Sequence, residues 1–134
     1  MSKYLLAYFG AALVFFTLDV VWLMYITKNF YKNELGHLLL DNPNMVAAGI
    51  FYIFYVLGIV LIAVLAGLRA ESLWVAVGYG VLLGGLCYGT YEITNYATLN
   101  NWPIKVVMVD LIWGMFITGL SAAGGYILVK FVSN

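Results

Sequence analysis

The sequence predicts an all-α integral membrane protein, a four-helix bundle that forms a single transmembrane domain over residues 1–134. Three observations carry that prediction. Hydrophobic residues make up 65% of the chain and charged residues 9%, with a mean hydropathy of +1.00. A soluble domain carries roughly a quarter charged residues, so this chain has too few to build a water-facing surface. Four apolar runs each reach the about 20 residues needed to cross the hydrocarbon as a helix. Short polar breaks separate them: KNFYKNELGHLLLDNPN, RAES and TLNNWP.

The first run opens as MSKYLLAYFGAALVFF, which has the outline of a signal peptide. Its apolar character continues through Asp19 to about Thr27, however, and no small-x-small cleavage site ends it. It is read as a retained helix over 4–27. Lys28 to Asn42 is long enough for a short interfacial helix in the first loop, with Leu35, Leu38 and Leu39 on one side and Lys32 and Glu34 elsewhere. An irregular loop is the alternative. The remaining helices are expected at 45–67, 73–97 and 104–129. Pro43 and Pro103 stand where the second and fourth begin, positions at which a missing amide donor costs nothing.

Glycines are dense in the third and fourth runs, as Gly80 with Gly84, Gly85 with Gly89, and Gly119 near Gly124 and Gly125. Small residues four apart let helix backbones approach closely. They are expected to form seams within the bundle, with a homo-oligomer seam as their other use.

Several function classes are disfavoured. A net charge of zero gives no reason to expect nucleic acid as a partner. The single cysteine, Cys87, lies in an apolar run and reads as a buried, inert thiol. No metal or cofactor is expected: His37 is a loop residue, and no carboxylate-and-histidine helix pattern occurs. Orientation is undetermined, because Lys3, Arg69 and Lys130 on one side balance Lys28, Lys32 and Lys105 on the other.

What does call for chemistry is the placement of acids. Asp19, Glu92 and Asp110 fall inside the first, third and fourth runs. Counted from Thr27, Thr98 and Pro103 at about 1.5 Å per residue, each is expected roughly 8–14 Å below the membrane surface that carries the long loop and NNWP. A charge in hydrocarbon costs several kcal/mol and marks a functional site by default. Three unpaired carboxylates would be prohibitive, so some must be protonated or matched with a cation. The motif D-x-x-W occurs twice, as LDVVWL and VDLIWG, placing Trp22 beside Asp19 and Trp113 beside Asp110 on shared faces. Tyr88, Glu92 and Asn95 share a stripe of the third helix by i, i+4, i+7 spacing. Asp19, Trp22, Tyr88, Glu92, Asn95, Asp110 and Trp113 are therefore the expected site. Its acids and Asn95 are expected to converge on one polar pocket open toward the loop face.

The same residues carry a resemblance. LDVVWL, together with YEITNYATLNNWPIKVVMVDLIWG, resembles the small four-span proteins of domain-of-unknown-function family 2177, predicted bacterial membrane proteins. The resemblance covers essentially the whole chain. It implies a multi-pass protein of the bacterial cytoplasmic (inner) membrane. It carries over Asp19, Trp22, Glu92, Thr94, Asn95, Thr98, Trp102, Pro103, Asp110 and Trp113 as motif positions, and supplies no activity or cofactor. The acids favour binding or transport of a proton, cation or small basic solute, with the bilayer as the other partner. A lipid-modifying membrane enzyme and an accessory or scaffold subunit are the alternatives. The enzyme is the weaker, since no nucleophile–base pair is visible.

Overall fold

The computed structural model describes residues 2–133. It holds four long apolar helices: α1 (Lys3–Leu35), α2 (Met45–Ala70), α3 (Leu73–Thr98) and α4 (Ile104–Ser133). In lipid the backbone must satisfy its own polar groups, and these helices do so. Their ends are capped as their sequences allow. Ser2 Oγ accepts the amide of Leu5 at 3.3 Å, Asn44 Oδ1 accepts that of Ala47 at 3.0 Å, and Ser72 Oγ accepts that of Val75 at 3.3 Å.

Between α2 and α3 the chain reverses in two residues. Glu71 takes a left-handed conformation (φ 52°), and the amides of Glu71 and Ser72 donate to the carbonyls of Leu68 and Gly67. That is a Schellman closure. Between α3 and α4, Asn101 supplies the other left-handed residue (φ 62°), a conformation asparagine tolerates better than most.

The first loop differs from expectation. No separate interfacial helix forms; α1 continues through a π-helical segment, Leu23–Tyr31, and ends only at Leu35. The wider π turn changes which side chains meet. In an α-helix, positions nine apart stand about two and a half turns from each other, on opposite faces. Here Trp22 and Tyr31 meet edge to face with ring centroids 6.1 Å apart, because π winding brings them onto one side. The extension leans over the start of α4. Leu35 is buried there, and Glu34 lies 3.9 Å from Lys105.

α4 is the post against which α1 and α3 both pack along their lengths. The glycines make this approach close. A Cβ at Gly10 would stand 2.6 Å from the Gly124 carbonyl oxygen, and one at Gly84 would strike the Gly114 carbonyl. The seams expected from the sequence thus lie inside the bundle, although Gly49, Gly58 and Gly78 have nothing near them.

α2 is held unevenly. Ile59, Val60, Ala63, Val64 and Leu65 are buried around a second π segment, Val60–Val64. Nearer the long loop, Ile50, Phe51, Ile53 and Phe54 face outward. On its other side Tyr55, Val56 and Ile59 are buried, and a cleft opens between this half of α2 and α3.

Candidate functional site

The register between helices fixes where the acids stand. On the α3–α4 seam, Gly85 faces Met115 and Gly89 faces Leu111. Antiparallel continuation puts Glu92 opposite about Met108, so Glu92 and Asp110 differ in depth by only about 3 Å. On the α1–α4 seam, Trp22 stacks on Trp113 with centroids 4.1 Å apart and planes 12° from parallel. The two helices run in opposite directions, so the three-residue step from Trp to Asp points oppositely in each. Asp19 lies about 4.5 Å to one side of the stack and Asp110 about 4.5 Å to the other, an axial separation of about 9 Å.

The carboxylates therefore form two layers rather than one common depth. Glu92 and Asp110 lie nearer the loop face, and Asp19 lies beyond the indole pair. The expected common depth assumed that α1 ends at Thr27. Its continuation to Leu35 moves that reference point. Among the described residues, no three His, Cys, Asp or Glu side chains gather closely enough to hold a metal ion.

Each acid has its own surroundings. Glu92 is 1% exposed, and its Oε1 accepts the Trp102 indole N–H at 2.9 Å. Its Oε2 is sealed from the exterior and has no partner among the described residues. Trp102 thus reaches from the NNWP turn to a buried carboxyl. Tyr91 packs edge to face on the same indole at 6.0 Å, and its hydroxyl is within reach of the Asn95 amide. Asn95 and Asp110 are both half-buried.

Asp19 is 7% exposed and stands one turn along α1 from Phe15, whose ring packs on that of Tyr52 with centroids 5.3 Å apart. Among the described residues it has no hydrogen-bond or ion-pair partner. Unlike Glu92 Oε2, its oxygens are not walled off. Tyr88 is held by a close fit: its ring lies where a Cβ on Gly114 would be. It also packs edge to face on Tyr55 at 6.3 Å. The Tyr55 hydroxyl is paired with Thr118 Oγ1 at 2.8 Å in the core.

Between the first half of α2 and α3, a cleft of about 360 Å³ is walled by Ala48, Phe51, Tyr52, Tyr55, Cys87, Tyr88 and Tyr91. Cys87 is exposed on this wall rather than buried. Its position in α3 turns it away from the α4 seam that Gly84 and Gly85 occupy. Tyr52 and Tyr55 escaped the sequence reading. The available signal was their three-residue spacing in FYIFYV, which puts both rings on one face of α2.

No curated protein and no solved structure matches the chain. The family model described as a predicted membrane protein, DUF2177, matches residues 4–127. With its four apolar helices and the matched span running almost from end to end, the chain belongs to that family of multi-pass membrane proteins.

Proposed function

We propose that this membrane protein binds a cation or small basic solute at Asp19, inside the bilayer, and passes it between the site and the loop face. One observation carries the reading: Asp19 is nearly enclosed, has no partner among the described residues, and has oxygens that remain approachable. An unpaired carboxylate at this depth costs several kcal/mol. Without a bound cation the Asp19 carboxyl is most economical as the neutral acid, and a cation would displace its proton. The ring of Tyr52, packed on Phe15 one turn from Asp19, offers cation–π attraction to an incoming ammonium. Glu92 and Asp110 form a second acidic layer on the approach from the loop face.

The test is proton release on ligand addition. The purified protein, in nanodiscs and weak buffer, is titrated with tetramethylammonium, guanidinium and alkali cations. At least one should release protons in a saturable way, and Asp19→Asn should abolish the release. No release with any of these cations, or an unchanged release in Asp19→Asn, overturns the proposal.

A further inference from the structure

Glu92, in the acid layer nearest the loop face, is the most enclosed of the three intramembrane carboxyls. It is 1% exposed. Oε1 accepts the Trp102 indole N–H at 2.9 Å. Oε2 is walled by protein and has no hydrogen-bond partner among the described residues. No cation answers it either. The ion pair found among the described residues joins Lys105 to Glu34, and the Lys105 side chain is 75% exposed. An ionised carboxylate sealed at this depth, with a single donor and no counter-charge, would be prohibitive. The ligand that fits without any further space is a proton.

The same level is short of partners on its α1 side. Thr27 Oγ1 is the other buried side-chain atom without a hydrogen bond among the described residues. Thr90, Thr98 and Ser121 each donate to the carbonyl four residues back, a common outlet for a helical hydroxyl. Thr27 lies in the π segment, whose wider turn displaces that carbonyl. It stands five residues beyond Trp22, so the indole stack sets it opposite about Met108, the level of Glu92. Both orphaned atoms would gain from water, and both are shut away from it.

Above Glu92 lies the NNWP turn. The Trp102 indole supplies the side-chain hydrogen bond that ties this turn to α3. Trp102 itself is only half-buried. It follows Asn101, whose left-handed backbone (φ 62°) is a conformation that glycine takes more readily. The turn is thus held by one bond, made to the carboxyl that it covers.

We infer that Glu92 is a proton-carrying site of the loop face and that Trp102 is its lid. Closed, the indole bonds Oε1 and keeps water from the acid. Lifted, it lets the carboxyl exchange its proton with water at that face. The proton leaves Oε2 for a water molecule and returns from one, so the step needs no other reactant. This site is separate from Asp19 and goes beyond the cation-binding proposal.

Infrared spectroscopy of the full chain in nanodiscs reads this proton directly. A protonated carboxyl has a C=O stretch distinct from that of a carboxylate, and transfer into deuterated water shifts it as the proton is replaced. The Glu92 share of the band is the part missing in Glu92→Gln. It should be present in the parent protein and exchange slowly. Trp102→Phe removes the donor and should speed that exchange about fivefold or more. Should Trp102→Phe fail to fold, benzothienylalanine at position 102 keeps the indole shape with sulfur in place of the N–H, and should act alike. Gly84→Ala loosens the bundle elsewhere and should leave the Glu92 rate near that of the parent. Asp19→Asn should leave the Glu92 band in place, whether or not Asp19 binds a cation.

A band unaltered by Glu92→Gln would mean that Glu92 is ionised, and would overturn the inference. So would parent-like exchange once the N–H is gone. Equal acceleration in Gly84→Ala would trace the leak to a loosened bundle rather than to the lid, and loss of the band in Asp19→Asn would merge the two sites; either result also overturns it.

Discussion

Replacing Gly84 with alanine tests the packing that positions the whole site. A Cβ there would lie against the Gly114 carbonyl group, 2.7 Å from its carbon, and 2.9 Å from Thr118 Cβ. Carbon atoms prefer about 3.5–4.0 Å, so the new methyl would intrude by roughly 0.6–1.3 Å. Its chief obstacle is backbone, which cannot rotate aside, so α3 and α4 must separate. Overpacking of this kind costs about 1–3 kcal/mol, and this case should fall in the upper half of that range. The better helix propensity of alanine offsets at most about 1 kcal/mol. Gly78→Ala is the matched control, because nothing stands within 4 Å of a Cβ there. Both variants would be unfolded in bicelles by SDS titration, with helix content followed by circular dichroism. Gly84→Ala should be destabilised by about 1–2 kcal/mol, while Gly78→Ala should equal or exceed the parent protein. Indistinguishable curves for the two would refute the reasoning. The closeness of α3 to α4 would then not be what holds the bundle.

Other outcomes follow from the same contacts and can be read by the same titration. Trp102→Phe keeps an aromatic ring but removes the donor to Glu92 Oε1, stranding a buried carboxyl; a loss of about 1–3 kcal/mol is expected, and parent-like stability would mean that the hydrogen bond is idle. For the indole stack, a double-mutant cycle of Trp22→Leu and Trp113→Leu should give a coupling of about 0.5–1.5 kcal/mol. Strict additivity would deny that the two rings interact. Lys105→Gln should be nearly silent, within about 1 kcal/mol, because its partnership with Glu34 is largely solvated. A larger loss would show that this ion pair anchors the α1 extension.

The helices were legible in the sequence because lipid demands unbroken apolar length, and the chain interrupts that length only three times. Where the reading stopped short, the cause was the solvent. From Lys28 to Glu34 the residues are mostly polar, which in a membrane signals departure from the hydrocarbon. A helix can depart without ending, and the π winding from Leu23 to Tyr31 lets this one continue outward. The facing of side chains was less legible still. In water an apolar stripe marks the buried face of a helix. In lipid both faces are apolar, so the spacing in FYIFYV pairs Tyr52 with Tyr55 but does not say that their face, which walls the cleft, turns inward while Phe54 faces outward. Only rare residues betray their facing. The three acids were therefore found at once, while Tyr52 and Tyr55 were not.

The repeated D-x-x-W shows how a pattern can be read correctly and still mislead about geometry. Two copies on antiparallel helices cannot superimpose both their tryptophans and their aspartates. Aligning the indoles makes the carboxyls diverge, and aligning the carboxyls would part the indoles. The fold takes the first course, and the reason is energetic. Stacked indoles gain about 0.5–1.5 kcal/mol beyond the area they bury. The stack then closes the α1–α4 seam between the layer of Glu92 and Asp110 and the level of Asp19. The twin motif, which on sequence alone suggested one shared cavity, sets its two aspartates about 9 Å apart along the bundle, on either side of the indole stack.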